Sequence, residues 1–200
     1  VWNPLWQSFD FAVRDDRPRR VISFETSVRG GVDTATGDFT GEVLYAFVDL
    51  APADRWATLR VGRQMVTTNG LAGFTRFDGL STRVVLHHLG VEAYAGAALR
   101  SRAFVLPGGE KVDSGWGRDW TYGFALSAVN LKDTQVRLGF QDRFHDGQLA
   151  RRTLSIDLHK ALFGRVNIRG DLAVDLMAQR LQEALVGLEG RPTAWLKVGA

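Results

Sequence analysis

The stretch from Thr58 to Val85, TLRVGRQMVTTNGLAGFTRFDGLSTRVV, decides the fold class of this chain. In its first half Leu59 and Val61 alternate with Thr58, Arg60, Gly62 and Gln64. In its second half Leu80, Thr82 and Val84 alternate with Gly79, Ser81 and Arg83. Alternation of period two gives a strand one apolar and one polar face, and the segment between the runs is rich in the Gly, Thr and Asn of turns. The stretch predicts a β-hairpin. With its turn centred near Gly70 and Leu71, Arg63 falls opposite Asp78, where an ion pair would fix the register.

The same grammar repeats along nearly the whole chain. Upstream, Gln7, Phe9, Phe11 and Val13 oppose Ser8, Asp10 and Ala12. Ile22, Phe24, Thr26 and Val28 then oppose Ser23, Glu25, Ser27 and Arg29, and a third run covers Phe39 to Leu50. Downstream, Val91, Ala93, Ala95 and Ala97 oppose Glu92, Tyr94 and Gly96, and Tyr122, Phe124, Leu126 and Ala128 restart the alternation. Val136, Leu138 and Phe140 oppose Gln135, Arg137, Gly139, Gln141 and Arg143; Leu154, Ile156 and Leu158 oppose Thr153, Ser155, Asp157 and His159. Val166, Ile168, Leu172, Val174 and Leu176 oppose Asn167, Arg169, Asp171 and Asp175. Two weaker runs, near Arg180–Leu188 and Thr193–Val198, complete about twelve strands; a helix near Met177 to Leu185 is the one competing assignment.

Gly62-Arg63-Gln64, followed after the turn by Phe77-Asp78-Gly79, resembles the GRQ…FDG hairpin of Gram-negative outer-membrane porin-like barrels, with the alginate-export type the nearest group. The resemblance covers this hairpin and is otherwise one of pattern. It implies an all-β fold, an antiparallel up-and-down transmembrane β-barrel, set in the lipid of the bacterial outer membrane. The loop here is short for that group, so no substrate is carried over.

Composition agrees with this setting without selecting it. The 200 residues fit one domain, with 45% hydrophobic and 24% charged residues. Soluble proteins and outer-membrane barrels share such values, because only alternate barrel residues face lipid. The net charge of +3 is spread among interleaved acids and bases, unlike the clustered patch of a nucleic-acid binder. Absence of cysteine excludes disulfides and thiolate metal sites. No run is long enough for a membrane-spanning helix. Val1-Trp2-Asn3-Pro4 lacks the features of a signal peptide, and Trp195-Leu196-Lys197-Val198-Gly199-Ala200 reads as a strand cut in mid-course. Residues 1–200 are therefore expected to be one barrel domain, incomplete at both ends and part of a larger barrel.

Taken alternately, the predicted connections form two sets. Arg14–Arg20, Ala51–Arg55, Leu86–Leu89, Asn130–Asp133, Lys160–Gly164 and Glu189–Pro192 are mostly tight; the other set contains both long loops, Thr67–Phe74 and Val105–Asp119. Short periplasmic turns and longer outside loops are the habit of outer-membrane barrels. Trp56 and Trp195 follow tight turns, suiting a periplasmic aromatic girdle, while Phe39, Trp120, Tyr122 and Phe144 adjoin the other set, suiting an outer girdle. Aromatics also flank turns in soluble sheets.

The polar face supplies the candidate site. Arg29, Glu42, Arg60, Gln64, Arg83 and Glu92 lie opposite the apolar stripe, as do Arg137, Gln141, Arg143, Asp157, Arg169 and Asp171. In a barrel these twelve line the lumen. Their arginines form either an anion-favouring constriction or one half of an ion-pair network that stabilises the wall.

Other chemistry is weaker. Ser155, Asp157 and His159 share a strand face, but successive same-face residues lie roughly 7 Å apart, too far for a catalytic triad without other strands. His87-His88 sit in a tight turn without further ligands at metal spacing. Gly108-Gly109 and Gly115-Trp116-Gly117 mark an outer loop, free to fold inward over a pore or to stay outside. The expectation is a porin-like passive channel for small polar or anionic solutes, with no enzyme activity, cofactor, metal or nucleic-acid partner; homo-oligomerisation is compatible with it. The alternatives are a soluble or surface β-rich binding module and a structural barrel without conductance.

Overall fold

In a computed structural model of the protein, the described residues are 4–34, 39–69, 73–99, 118–131, 133–162, 166–193 and 196–199. They form β1 (Pro4–Arg17), β2 (Arg20–Asp33), β3 (Phe39–Pro52), β4 (Ala57–Asn69), β5 (Gly73–Leu86), β6 (Leu89–Leu99), β7 (Asp119–Leu131), β8 (Thr134–His145), β9 (Gln148–Leu162), β10 (Val166–Asp175), β11 (Arg180–Thr193) and β12 (Leu196–Gly199). All twelve lie in a single sheet, antiparallel and in sequence order, an up-and-down meander. Among the described residues there is no helix. β1 and β12 do not pair with each other among these residues, so the sheet is open and is not a closed barrel of twelve.

Two expectations are corrected, and the competing helix near Met177 is not formed. Asp175 Oδ1 accepts hydrogen bonds from the backbone N–H groups of Met177 and Ala178, at 3.0 and 3.1 Å, and Gln179 takes a φ of 49°. This turn ends before a helix can propagate, and β11 follows. The loop placed at Thr67–Phe74 is largely strand, since Thr67 pairs with Phe74 and Asn69 with Gly73. The polar turn placed at Arg14–Arg20 contracts to Pro18-Arg19, because Arg17 already pairs with Arg20. The longest connection, 100–117, lies outside the described residues, and with it the inward fold considered for its glycines.

Local chemistry explains the turns that remain. Asp146 and Gly147 join β8 to β9 with φ of 49° and 76°, the two positive values of a type I′ hairpin turn, whose twist matches that of the strands it joins. The opening hairpin has the expected register, and its motif is a ladder of three pairs: Gly62 with Gly79, Arg63 with Asp78, Gln64 with Phe77. Arg63 grips Asp78 by two hydrogen bonds of 2.8 and 2.9 Å.

The two faces of the sheet differ as the alternation predicts. Along β7, Asp119, Thr121, Gly123 and Ala125 are buried while Trp120, Tyr122, Phe124 and Leu126 are exposed. The exposed apolar positions align across strands. Leu126, Leu138, Ile156 and Leu172 lie side by side in register and are each 40–45% exposed.

The other face is concave, because side chains from non-adjacent strands meet on it. Gln141 of β8 donates to Thr75 Oγ1 of β5 at 2.7 Å, and Arg137 of β8 reaches Glu92 of β6. A row of glycines sharpens the curve. Gly62, Gly79 and Gly96 face one another across β4, β5 and β6. A Cβ on Gly79 would collide with the Ala95 carbonyl oxygen, and one on Gly96 would lie 2.5 Å from the Asp78 carbonyl oxygen and 2.7 Å from the Phe77 ring. Glycine lets neighbouring backbones approach and the sheet bend there.

Beyond this row β4 parts from β3, their last pair being Ala46 with Arg63. It comes instead against β8, β9 and β10, four to six strands away in the sheet. The part of β4 that carries Met65 and Val66 thus approaches the inner wall, while β5 keeps its pairing with β6 as far as Arg76 with Leu99. Thr153, Ser155 and Ala173 on that wall are nearly fully buried.

Candidate functional site

The concave face carries all twelve polar positions singled out from the sequence, and it divides into two levels. Toward the tight turns lies a cavity of about 1240 Å³, lined by Arg83, Glu92, Arg137, Asp157, Arg169 and Asp171 together with His159, Glu189 and Ser127. Met65 and Val66 of β4 also line it.

The charges of this chamber are ordered as a ladder. Arg83 Nε lies 3.5 Å from Glu92 Oε1; Arg137 Nη2 donates to Glu92 Oε2 at 3.0 Å, and its Nη1 lies 3.8 Å from Asp157 Oδ2. Glu92 and Arg137 sit on β6 and β8 and meet across β7, which presents only Ala125 and Ser127 opposite them. Asp157 and Asp171 are direct neighbours on β9 and β10, a like-charge pair that would repel if bare. Arg137 neutralises the first, and Arg169 Nε donates to Asp171 Oδ2 at 2.9 Å. The lining holds three arginines against four carboxylates, so the chamber is polar and close to neutral, not a field of unpaired positive charge.

The second level, toward the other set of connections, is filled. Gln64 and Phe77 are fully buried, and Gln64 is satisfied at both ends: its Nε2 donates to the Gly79 carbonyl at 3.2 Å, and its Oε1 accepts from Ser81 Oγ at 2.6 Å. The Tyr94 ring lies 5.4 Å from that of Phe77, tilted to it by 30°, and sits over Gly123, where no side chain opposes it. Gln141 donates to Thr121 Oγ1 at 3.0 Å as well as to Thr75. Arg143 stands 3.9 Å from Asp119, which also contacts His145 Nδ1 at 2.5 Å.

The remaining candidates flank the chamber. Arg29 Nη2 donates to Glu42 Oε2 at 3.0 Å, and Arg76 Nη1 lies 2.5 Å from Glu42 Oε1. Arg60 holds Asp49 by two bonds of 2.7 and 2.8 Å while its guanidinium lies 3.7 Å above the Phe47 ring. Ser155, Asp157 and His159 follow one another along the concave side of β9, where Asp157 answers to Arg137. Among the described residues no three His, Asp or Glu side chains are grouped to hold a metal ion.

Of the aromatic positions, Trp56 is exposed in the β3–β4 turn, and Trp120 and Tyr122 are exposed on the apolar face at the opposite end, with Tyr122 stacked on Phe144 at 5.7 Å. The Phe39 side chain and Trp195 lie outside the described residues. Sequence reading missed one group here. Asp142, on the apolar face, is fully buried and held by Arg152 Nε and Nη2 at 2.8 and 2.7 Å and by the Tyr122 hydroxyl at 2.8 Å. The signal was an acid in phase with Phe140 and Phe144, directly opposite an arginine in the β8–β9 hairpin.

No family model matches the chain, and no curated protein is significantly similar to it.

Proposed function

We propose that the protein is wall of a porin-like β-barrel of the bacterial outer membrane and passes small polar solutes without a covalent step. The supporting observation is the contrast between the two faces. An in-register row of exposed leucines and isoleucine lies on one, and a charged, cavity-bearing concavity lies on the other. A soluble protein rarely leaves so broad an apolar face uncovered, whereas lipid covers it at no cost. The resemblance of the GRQ…FDG hairpin to outer-membrane barrels supports the same setting, with further strands completing the wall. Because the chamber arginines are paired with carboxylates, neutral polar solutes suit it better than anions.

Single-channel recording of the full-length protein in a planar bilayer tests this. Steady conductance with weak ion selectivity is expected. A protein that stays soluble and never enters lipid defeats the proposal and leaves a β-rich binding module.

A further inference from the structure

The apolar face carries a second cavity that the porin reading does not use. We infer that it binds a single-chain amphiphile with a carboxylate head, a long-chain fatty acid. The alkyl chain lies in a glycine-floored groove across β1, β2 and β3, and the carboxylate meets the arginine cluster beside it. The inference goes beyond the porin reading and does not rest on it.

The groove follows from the register of three strands. Phe9, Val28 and Val43 stand side by side on β1, β2 and β3, and the next row of the same face is Gln7, Gly30 and Gly41. Phe9, Val28 and Val43 are exposed, as is Val32 on the far side of the glycines. Two glycines between apolar rows leave a trough of about 550 Å³, within the range of roughly 300–1,000 Å³ usual for ligand pockets. Valine and phenylalanine walls over a glycine floor give van der Waals contact to a slender alkyl chain along its length.

Charge borders the trough. Arg29 and Glu42 also line it, and Glu42 is shared by two arginines, Arg29 Nη2 at 3.0 Å and Arg76 Nη1 at 2.5 Å. Here β3 has no β4 partner, their last pair being Ala46 with Arg63, and Arg63 donates to the Val43 carbonyl at 3.3 Å instead. Arg29, Arg63 and Arg76 against Glu42 and Asp78 leave these five groups with one positive charge in excess. Arg76 Nε is buried and, among the described residues, has no hydrogen-bond partner. A buried N–H in that state costs stability until an acceptor reaches it. A carboxylate supplies both the acceptor and the balancing charge. An alcohol of the same chain length brings no charge, and an alkylammonium brings the wrong one.

Equilibrium dialysis of radiolabelled palmitate against the full-length protein in non-ionic detergent micelles tests this, with hexadecanol as the uncharged comparison. Saturable palmitate binding is expected, roughly tenfold or more tighter than that of hexadecanol. Arg76→Met removes the excess charge and the unpaired N–H, and is expected to weaken palmitate roughly tenfold while leaving hexadecanol unchanged. Glu42→Gln adds to the excess and is expected to tighten palmitate severalfold; a cluster that merely holds the strands together would weaken binding in both variants. Equal affinity for palmitate and hexadecanol, palmitate uptake no greater than that of protein-free micelles, or weakening in both variants overturns the site. The bilayer recording is a separate readout: a protein that binds palmitate and never conducts removes the porin reading and leaves the site standing.

Discussion

Arg137 is a side chain on which the chamber charges converge, since it contacts both Glu92 and Asp157. Replacing it with Met keeps the aliphatic stem and leaves those carboxylates short of one cation. Cation-over-anion permeability is then expected to rise by roughly twofold or more, read from reversal potentials in a salt gradient. An unchanged ratio would place the ladder outside the conduction path. That Arg137 faces inward was legible from QVRLGFQDR, where it alternates with Val136 and Leu138. That it is paired was not. Its partner Glu92 is 45 residues away, and their meeting depends on how tightly β7 curves between their strands. The sequence leaves both an anion-favouring constriction and an ion-pair network open, and at Arg137 the curvature is what brings the ion pairs about.

The element that shapes the molecule is the three-strand glycine row. Gly79 sits where an added Cβ would meet the Ala95 carbonyl and lie 2.6 Å from Gly96 Cα, both backbone atoms that cannot turn aside. Gly79→Val should therefore open or unfold this part of the sheet, costing several-fold in folded yield on refolding into detergent. Gly170, which has nothing within 4 Å of an added Cβ, should accept Ala with folded yield unchanged. Equal tolerance at the two positions would mean that close approach is not what glycine serves in the row. The GRQ and FDG strings thus do three separate jobs within one hairpin. Their glycines allow the bend, Arg63 and Asp78 lock the register, and Gln64 with Phe77 fills the space inside it.

At the scale of the whole molecule the decisive property is the exposed apolar band. Ile156 lies in its middle, between Leu138 and Leu172, whereas Trp120 lies at its rim beside the paired Asp119 and His145. If lipid covers the band, Ile156→Arg should destabilise the folded protein by about 2–4 kcal/mol and Trp120→Arg by about 0–1 kcal/mol. The comparison is made by urea titration in lipid vesicles. Equal costs would sink the depth-dependent reading and with it the membrane setting. The Asp142–Arg152–Tyr122 group fits the same gradient, since it places a charged pair on the apolar face close to the loop end, where each charge is neutralised by its neighbour.

The twelve strands, their alternating faces, the Arg63–Asp78 register and the membership of the concave side could all be read from the chain. Each depends on period-two patterning and on pairing between neighbours in sequence, which local chemistry dictates. Strand ends were less legible: polar residues at Arg14–Arg17 and Thr67–Asn69 have turn-like composition yet continue the ladder, because a partner strand already supplied their backbone hydrogen bonds. The approach of β4 to β8, β9 and β10, the filled level around Phe77 and Tyr94, and the cross-strand pairing of the charges belong to the tertiary structure. They arise from the bend and coil of the sheet, which bring strands β4 and β10 together across a space that no sequence period records.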